Sequence, residues 1–266
     1  NVLDGALKEN NSIWIGSDPS SSTNSAEYNS AFGVSALSSV TTGINMTAIG
    51  YRALKNNTTG SANIAIGYEA LRDNVTDGGN VAIGYQSMRD AKGGEFNTAV
   101  GNNALRGTTD TDITGDENVA IGAGSLKLNI AGAQNVAVGR YSLHDNTSGS
   151  NNTAIGYWAL LDNTTATYNT AVGSNSLENT TTDGFNTGIG ANSLLTNTTG
   201  QSNTAGGVNS IYSNSTGNNN TGFGRNSLYA TTGSDNTSLG YQAGDVITSG
   251  SNNVVIGSGS DPSANT

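Results

Sequence analysis

Asn152-Thr153-Ala154-Ile155-Gly156-Tyr157-Trp158-Ala159-Leu160-Leu161-Asp162-Asn163-Thr164-Thr165 is one copy of a unit that fills the whole chain. Its consensus, N-T-A-[IV]-G-x-x-[AS]-L-x-x-N-T-T-G-x-x, is anchored on the glycine after Ile155. Fifteen such anchors run from Gly16 to Gly257, and of their 14 spacings 12 are 17 residues, one is 21 and one is 16. A period this regular describes one small unit stacked on itself, because a coil this short cannot bury a core alone. Seventeen residues are too few for a helix-turn-helix or leucine-rich repeat. Recurring Gly, Asn and Thr also occupy positions where a helix would need its middle. The fold expected is all-β: a parallel β-roll or β-solenoid of about fifteen coils over residues 1–266 as a single repeat domain. Stacked at roughly 4.8 Å per coil, it should form a rod of roughly 70 Å.

Composition removes the competing classes. Gly is abundant at 37 residues, but Pro is only 2 and no G-X-Y period exists, which excludes collagen. Charged residues are only 11% and the apolar ones recur in register, so this is not a disordered linker. The net charge of −10 comes from 20 acidic and 10 basic residues spread thinly along the chain; no basic patch is expected, and hence no nucleic-acid partner. No apolar stretch reaches the length of a membrane span, so no membrane insertion is expected. There is no cysteine. The chain begins at Asn1 with no signal peptide visible, and the absence of a capping helix at either end leads us to expect a segment of something longer.

Within each coil the rows have distinct characters. Two short extended segments are expected, one ending at the anchor and one centred on the Ala/Ser-Leu pair. One residue before the anchor stands a bulky row including Ile49, Ile66, Ile83, Ile155 and Ile189, broken at Gly206; four after it stands a Leu row including Leu54, Leu71, Leu143 and Leu160. These two rows are expected to face each other across a thin interior. Two before the anchor is a small-residue row, Ala48, Ala65, Ala154 and Gly188 among its members. Strand alternation places it on the opposite face, where it is expected to meet another copy of the chain. The anchors are expected at positive φ or at a close backbone approach. The Asn row four before them is expected to form turns and a ladder along the stack.

The pattern departs from itself in two places. A four-residue insertion falls within residues 106–117, where Asp110, Asp112 and Asp116 offer oxygen ligands, although neither an EF-hand loop nor a calcium β-roll motif is present. A lengthened turn is the expectation, with Val100 and Ile121 kept in register. Residues 206–266 read as degenerate coils.

Chemistry was sought in vain. The lone His144 cannot build a Cys–His pair or a zinc site and reads as a turn residue. No nucleophile elbow, phosphate loop or paired carboxylates stand out. No catalytic residue, cofactor or metal is therefore assigned, and no enzyme is expected. Tyr51, Tyr68, Tyr85, Tyr157 and Tyr241 share the position after the anchor and form a candidate glycan-contact stripe. Asn57, Asn74, Asn146, Asn163, Asn197 and Asn214 share the position seven after the anchor and each begins an N-x-S/T triplet, an acceptor row on an exposed edge if the source is eukaryotic. Thr is abundant, but Ile64, Val81, Val119 and Val136 interrupt its best row, which argues against an ice-binding array.

The units Asn152–Leu160 and Asn63–Leu71 resemble the N-T-A-I-G-Y-x-A-L repeats of bacterial surface and phage tail-fibre proteins, whose shafts often precede an intramolecular chaperone domain of the endosialidase type. More distantly, the N-x-A-I-G core is similar to the head repeat of trimeric autotransporter adhesins, a left-handed parallel β-roll. The resemblance covers essentially the whole chain. It departs from the adhesin head in its longer period and in lacking a coiled-coil stalk or chaperone domain. It implies an extracellular structural fibre segment, a shaft or head of a cell-surface appendage, adhesin or tail fibre. It also implies self-association as a homotrimer or with filament neighbours, and lateral contact with surface glycans. The alternative is a carbohydrate-binding module that uses the Tyr stripe.

Overall fold

The computed structural model describes residues 5–8, 12–16, 25–108 and 113–260. The chain is a parallel β-solenoid of about fifteen coils with no helix among the described residues, and it divides into two compact units, Asn1–Gln134 and Asn135–Thr266. The first unit holds β1 (Gly5–Lys8), β2 (Ser12–Gly16), β3 (Ser30–Gly33), β4 (Thr47–Ile49), β5 (Ile64–Ile66), β6 (Val81–Ile83), β7 (Thr98–Val100) and β8 (Val119–Ile121). From β2 to β8 each strand pairs in parallel with the next, anchor over anchor. β1 instead turns back antiparallel onto β2, so the ladder does not begin with a further coil. The second unit holds β9 (Val136–Val138), β10 (Thr153–Ile155), β11 (Thr170–Val172), β12 (Thr187–Ile189), β13 (Thr204–Gly206), β14 (Thr221–Phe223), β15 (Thr237–Leu239) and β16 (Val254–Ile256), again all parallel and in register. The coils of 206–266, degenerate in sequence, keep their strands.

Among the described residues each coil from β2 onward has one strand, not two. The segment around the Ala/Ser-Leu pair is a run of turns in which the second and fourth residues after the anchor take left-handed backbone, as in Trp158 (φ 57°) and Leu160 (φ 51°). Left-handed backbone costs a non-glycine residue roughly 1–2 kcal/mol. Here two gains offset it: the Leu160 N–H donates to the Ser176 carbonyl at 3.0 Å, and its side chain is completely buried. The turns therefore stack as a second hydrogen-bonded wall without becoming a sheet.

The strand faces are the reverse of the sequence expectation. Ala154 is 0% exposed and points into the coil, whereas Ile155 is 40% exposed and points out. The inversion repeats along both units, with Ala48, Ala65, Ala82 and Ala99 buried and Ile49, Ile83, Ile121 and Ile189 exposed. The width of the interior is the reason. A methyl built on Gly188, in the Ala row, would lie 2.6 Å from Ser176 Oγ and 2.9 Å from Ser193 Oγ. The Ala row thus packs directly against the Ala/Ser row of the turn wall, and one large side chain per coil, the Leu, fills what remains. The small row is demanded from inside the coil and not by a neighbouring chain.

The rest of the interior is polar and hydrogen-bonded. Along the Asn row, the Oδ1 of each residue accepts the N–H of the next: Asn80 from Asn97, Asn152 from Asn169, and Asn186 from Asn203, at 2.9–3.0 Å. The Nδ2 reaches the turn carbonyl fourteen residues on, as from Asn152 to Ala166 at 2.8 Å. The expected ladder exists, but its main rungs join side chain to backbone. At the anchors, both expectations hold: Gly156 has φ 142°, and a Cβ there would sit 2.4 Å from the Gly173 carbonyl oxygen.

The insertion preserves register, since Thr98, Ala99 and Val100 pair with Val119, Ala120 and Ile121. Asp110 and Asp112 lie outside the described residues. Just after them Ile113 returns to the interior, fully buried.

Candidate functional site

The strands show solvent a surface of two columns. The column one before the anchor is the Ile/Val ladder. The column three before it runs Ile13, Ser30, Thr47, Ile64, Val81, Thr98 and Val119 in the first unit, with Thr from Thr153 to Thr237 in the second. No charged residue occurs in either column over all fifteen coils. Ile13, Ile15, Phe32 and Ile49 line a shallow apolar groove on this face of the first unit. At Gly206, where the bulky ladder is interrupted, the ring of Phe223 lies over the gap, 2.3 Å from where a Cβ would stand. The face is thereby continuous within the second unit.

The tyrosine stripe is present but differs from a sugar platform. Tyr51, Tyr68 and Tyr85 stack with ring centroids 5.2 Å apart, at interplanar angles of 22° and 10°. Both faces of Tyr68 are covered by its neighbours, and the Arg52 guanidinium lies 4.8 Å from the Tyr51 ring centre. What the stack presents outward is ring edges and hydroxyls. Tyr157 stacks instead on Trp158 at 4.7 Å, and Tyr241 lies near Arg225. Two further stacks, Tyr168 on Phe185 and Tyr212 on Tyr229, were not singled out from the sequence. Reading each repeat position down its column reveals both.

The six N-x-S/T asparagines do not form an exposed edge. Asn57, Asn74, Asn146, Asn163, Asn197 and Asn214 are all buried. Asn146 and Asn197 donate to the carbonyls of Gly149 and Gly200, three residues on, and Asn163 Nδ2 donates to Asn146 Oδ1 at 2.7 Å. They are a second internal ladder, and no glycan can be accommodated on these amides in the folded coil. Each closes its turn by donating Nδ2 to the carbonyl three residues on, and its hydrophilic sequence context disguises its burial.

Charge is arranged more regularly than the sequence reading allowed. Five residues after the anchor, consecutive coils carry Lys55, Arg72, Arg89, Arg106 and Lys127, half of the ten Lys and Arg in the chain. The expectation of no basic cluster is corrected: the residues are scattered in sequence and aligned by the fold. Arg89 grips Asp90 with two bonds of 2.8 and 2.9 Å. Arg72 bonds Asp73, and together with Arg52 and Gln86 it surrounds Glu69. Burial acts to raise the Glu69 pKa, but the Gln86 hydrogen bond and the two guanidiniums outweigh it and hold the carboxyl below its ordinary value.

In the second unit acidic residues stand at or next to the corresponding repeat position, with Asp145, Asp162 and Glu178 on successive coils. Burial, and then the charge of Asp145, push the Asp162 carboxyl above its ordinary value. Glu178 is raised by burial and by Asp162, against the lowering effect of its bond from Asn175. His144 bonds Asp145 and meets the Tyr141 ring edge-on, so it is half-buried in a side-chain cluster instead of standing free in a turn. In the first unit Asp77 is raised by burial and by the charge of Glu95. Asp116 accepts the Glu95 N–H at 2.8 Å.

The chain has no cysteine motif, and among the described residues no group of three or more His, Asp or Glu side chains could hold a metal. No helix among them is long and apolar enough to cross a membrane. Comparison with protein-family models, with curated proteins and with solved structures finds no match.

Proposed function

We propose that this protein is a structural fibre segment displayed outside the cell, whose copies associate through the outward strand face. The observation that carries the reading is the uncharged Ile/Val and Thr/Val double column, exposed or half-buried on the outward strand face in both units. Exposed sheet faces and edges are ordinarily blunted with charge, and this one is not blunted anywhere. A ladder repeating at coil spacing is met rung for rung by a partner with the same spacing, and a second copy of the chain is the simplest such partner. Three copies are what the resemblance to surface and tail-fibre repeats implies. A shaft or head of an appendage, adhesin or tail fibre needs no catalytic cleft, in keeping with the absence of a metal or cysteine motif.

The carbohydrate-module alternative draws less support. Aromatic sugar recognition needs open ring faces, and in the stack of Tyr51, Tyr68 and Tyr85 the central ring has both faces covered and each outer ring gives one face to it. Sedimentation equilibrium of the full chain tests the main reading: a mass of three chains is expected, and a monomer at every concentration would overturn it.

A further inference from the structure

We propose that the row Lys55, Arg72, Arg89, Arg106 and Lys127 binds a linear acidic polysaccharide along one edge of the first unit. The row is straight because the backbone beneath it is a ladder. The N–H groups of Asn56, Asp73, Asp90 and Gly107 donate to the carbonyls of Arg72, Arg89, Arg106 and Lys127 at 2.9–3.1 Å. Five rungs at about 4.8 Å spacing extend over about 19 Å.

The layering of the edge exposes cation over anion. The carboxylates of Glu69 and Asp90 are 6% exposed, whereas the Arg72 and Arg106 side chains are 25% and 24% exposed and Arg52 is 39% exposed; Arg89, at 10%, is buried against Asp90 and braces the row from within. Buried carboxylates therefore hold guanidiniums in place and leave their outer surfaces to solvent, a pre-organised arrangement that lowers the entropic cost of binding. Arg52 and the five row residues are six cations, and the carboxylates met by their guanidiniums are three, Glu69, Asp73 and Asp90, which leaves a modest excess of cation among these groups.

This modest excess on a straight edge suits a polymer with about one carboxylate per sugar or per disaccharide. Single-stranded nucleic acid fits less well, since its sequence-tolerant binding draws on aromatic faces for base stacking. Both faces of Tyr68 are covered, and Tyr51 and Tyr85 each give one face to it. Tyr51, Tyr68 and Tyr85 are themselves exposed residues, with Tyr51 beside Arg52. The inference rests on the fibre reading only for where such a polymer is met, because the row lies outside the strand face.

The test is calorimetric titration of the full chain with polygalacturonate, with dextran and oligothymidylate as comparison probes. Binding to polygalacturonate is expected at low salt, weakening as salt rises. Lys55→Glu with Lys127→Glu should weaken it about tenfold or more, Lys55→Gln with Lys127→Gln should weaken it less, and Arg225→Glu in the second unit should leave it unchanged. The proposal is overturned if wild type does not bind polygalacturonate, if both double variants bind as wild type does, or if dextran or oligothymidylate binds as tightly. Light scattering on the same samples reports self-association separately, so a monomer that still binds would defeat the association reading and leave this one standing.

Discussion

Asn152 shows how single residues hold a coil whose core is barely wider than one side chain. Its Oδ1 accepts the Asn169 N–H at 2.9 Å and its Nδ2 donates to the Ala166 carbonyl at 2.8 Å, all of it buried. Asn152→Ala leaves a buried donor and a buried acceptor unsatisfied, at about 1–3 kcal/mol for each. Denaturant unfolding should show a loss of about 2–4 kcal/mol. Asp162 is the converse case, a carboxyl whose charged form the fold disfavours. A raised folded-state pKa means that the native state binds the proton more tightly than the unfolded chain does, so Asp162 destabilises once pH rises above its ordinary range. Asp162→Asn should therefore raise the melting temperature at neutral pH, and the gain should vanish in acid, where the wild-type group is protonated in both states. Glu69 has the opposite sign: its contribution is present above the ordinary carboxylate range and is lost as pH falls through its lowered folded pKa. Glu69→Gln should destabilise at neutral pH, most visibly at low salt.

At the scale of the coil, strand and turn wall are locked by different means. Anchor glycines stack backbone against backbone, with the N–H of Gly156 on the Val138 carbonyl and that of Gly173 on Ile155, both at 2.8 Å. Gly156→Ala combines a left-handed φ with a 2.4 Å approach to the next coil, and a cost of about 3 kcal/mol or more is expected in thermal unfolding. Much of the coil is legible in the sequence. The period, the anchor glycines, the Asn ladder and the buried Leu row follow from residue type and spacing. The turn wall is less legible, because Leu160 in left-handed backbone contradicts its intrinsic preference and is imposed by neighbouring coils. The strand faces are misread for a physical reason too. Bulky residues ordinarily face inward, but here the interior opposite Ser176 and Ser193 is too narrow even for a methyl at Gly188, and the large aliphatic of the strand is turned out.

For the molecule as a whole, that inversion moves the functional question to the outside of the coil. The Ile/Val ladder becomes the outward face proposed for association, the buried N-x-S/T asparagines drop out as surface sites, and the basic row appears where sequence order had dispersed it. The basic row could have been found by aligning the coils and reading each position downward. The direction of the strand faces could not, since alternation alone does not say which side is in. The most direct measurement therefore compares two adjacent substitutions, Ala154→Lys and Ile155→Lys, by circular dichroism and light scattering. Ala154→Lys forces a long charged side chain into the closed interior and should unfold the second unit or cost it several kcal/mol. Ile155→Lys should leave the β signal intact and weaken the association of the chains. A folded Ala154→Lys chain that fails to associate, beside an Ile155→Lys chain that fails to fold, would contradict the account.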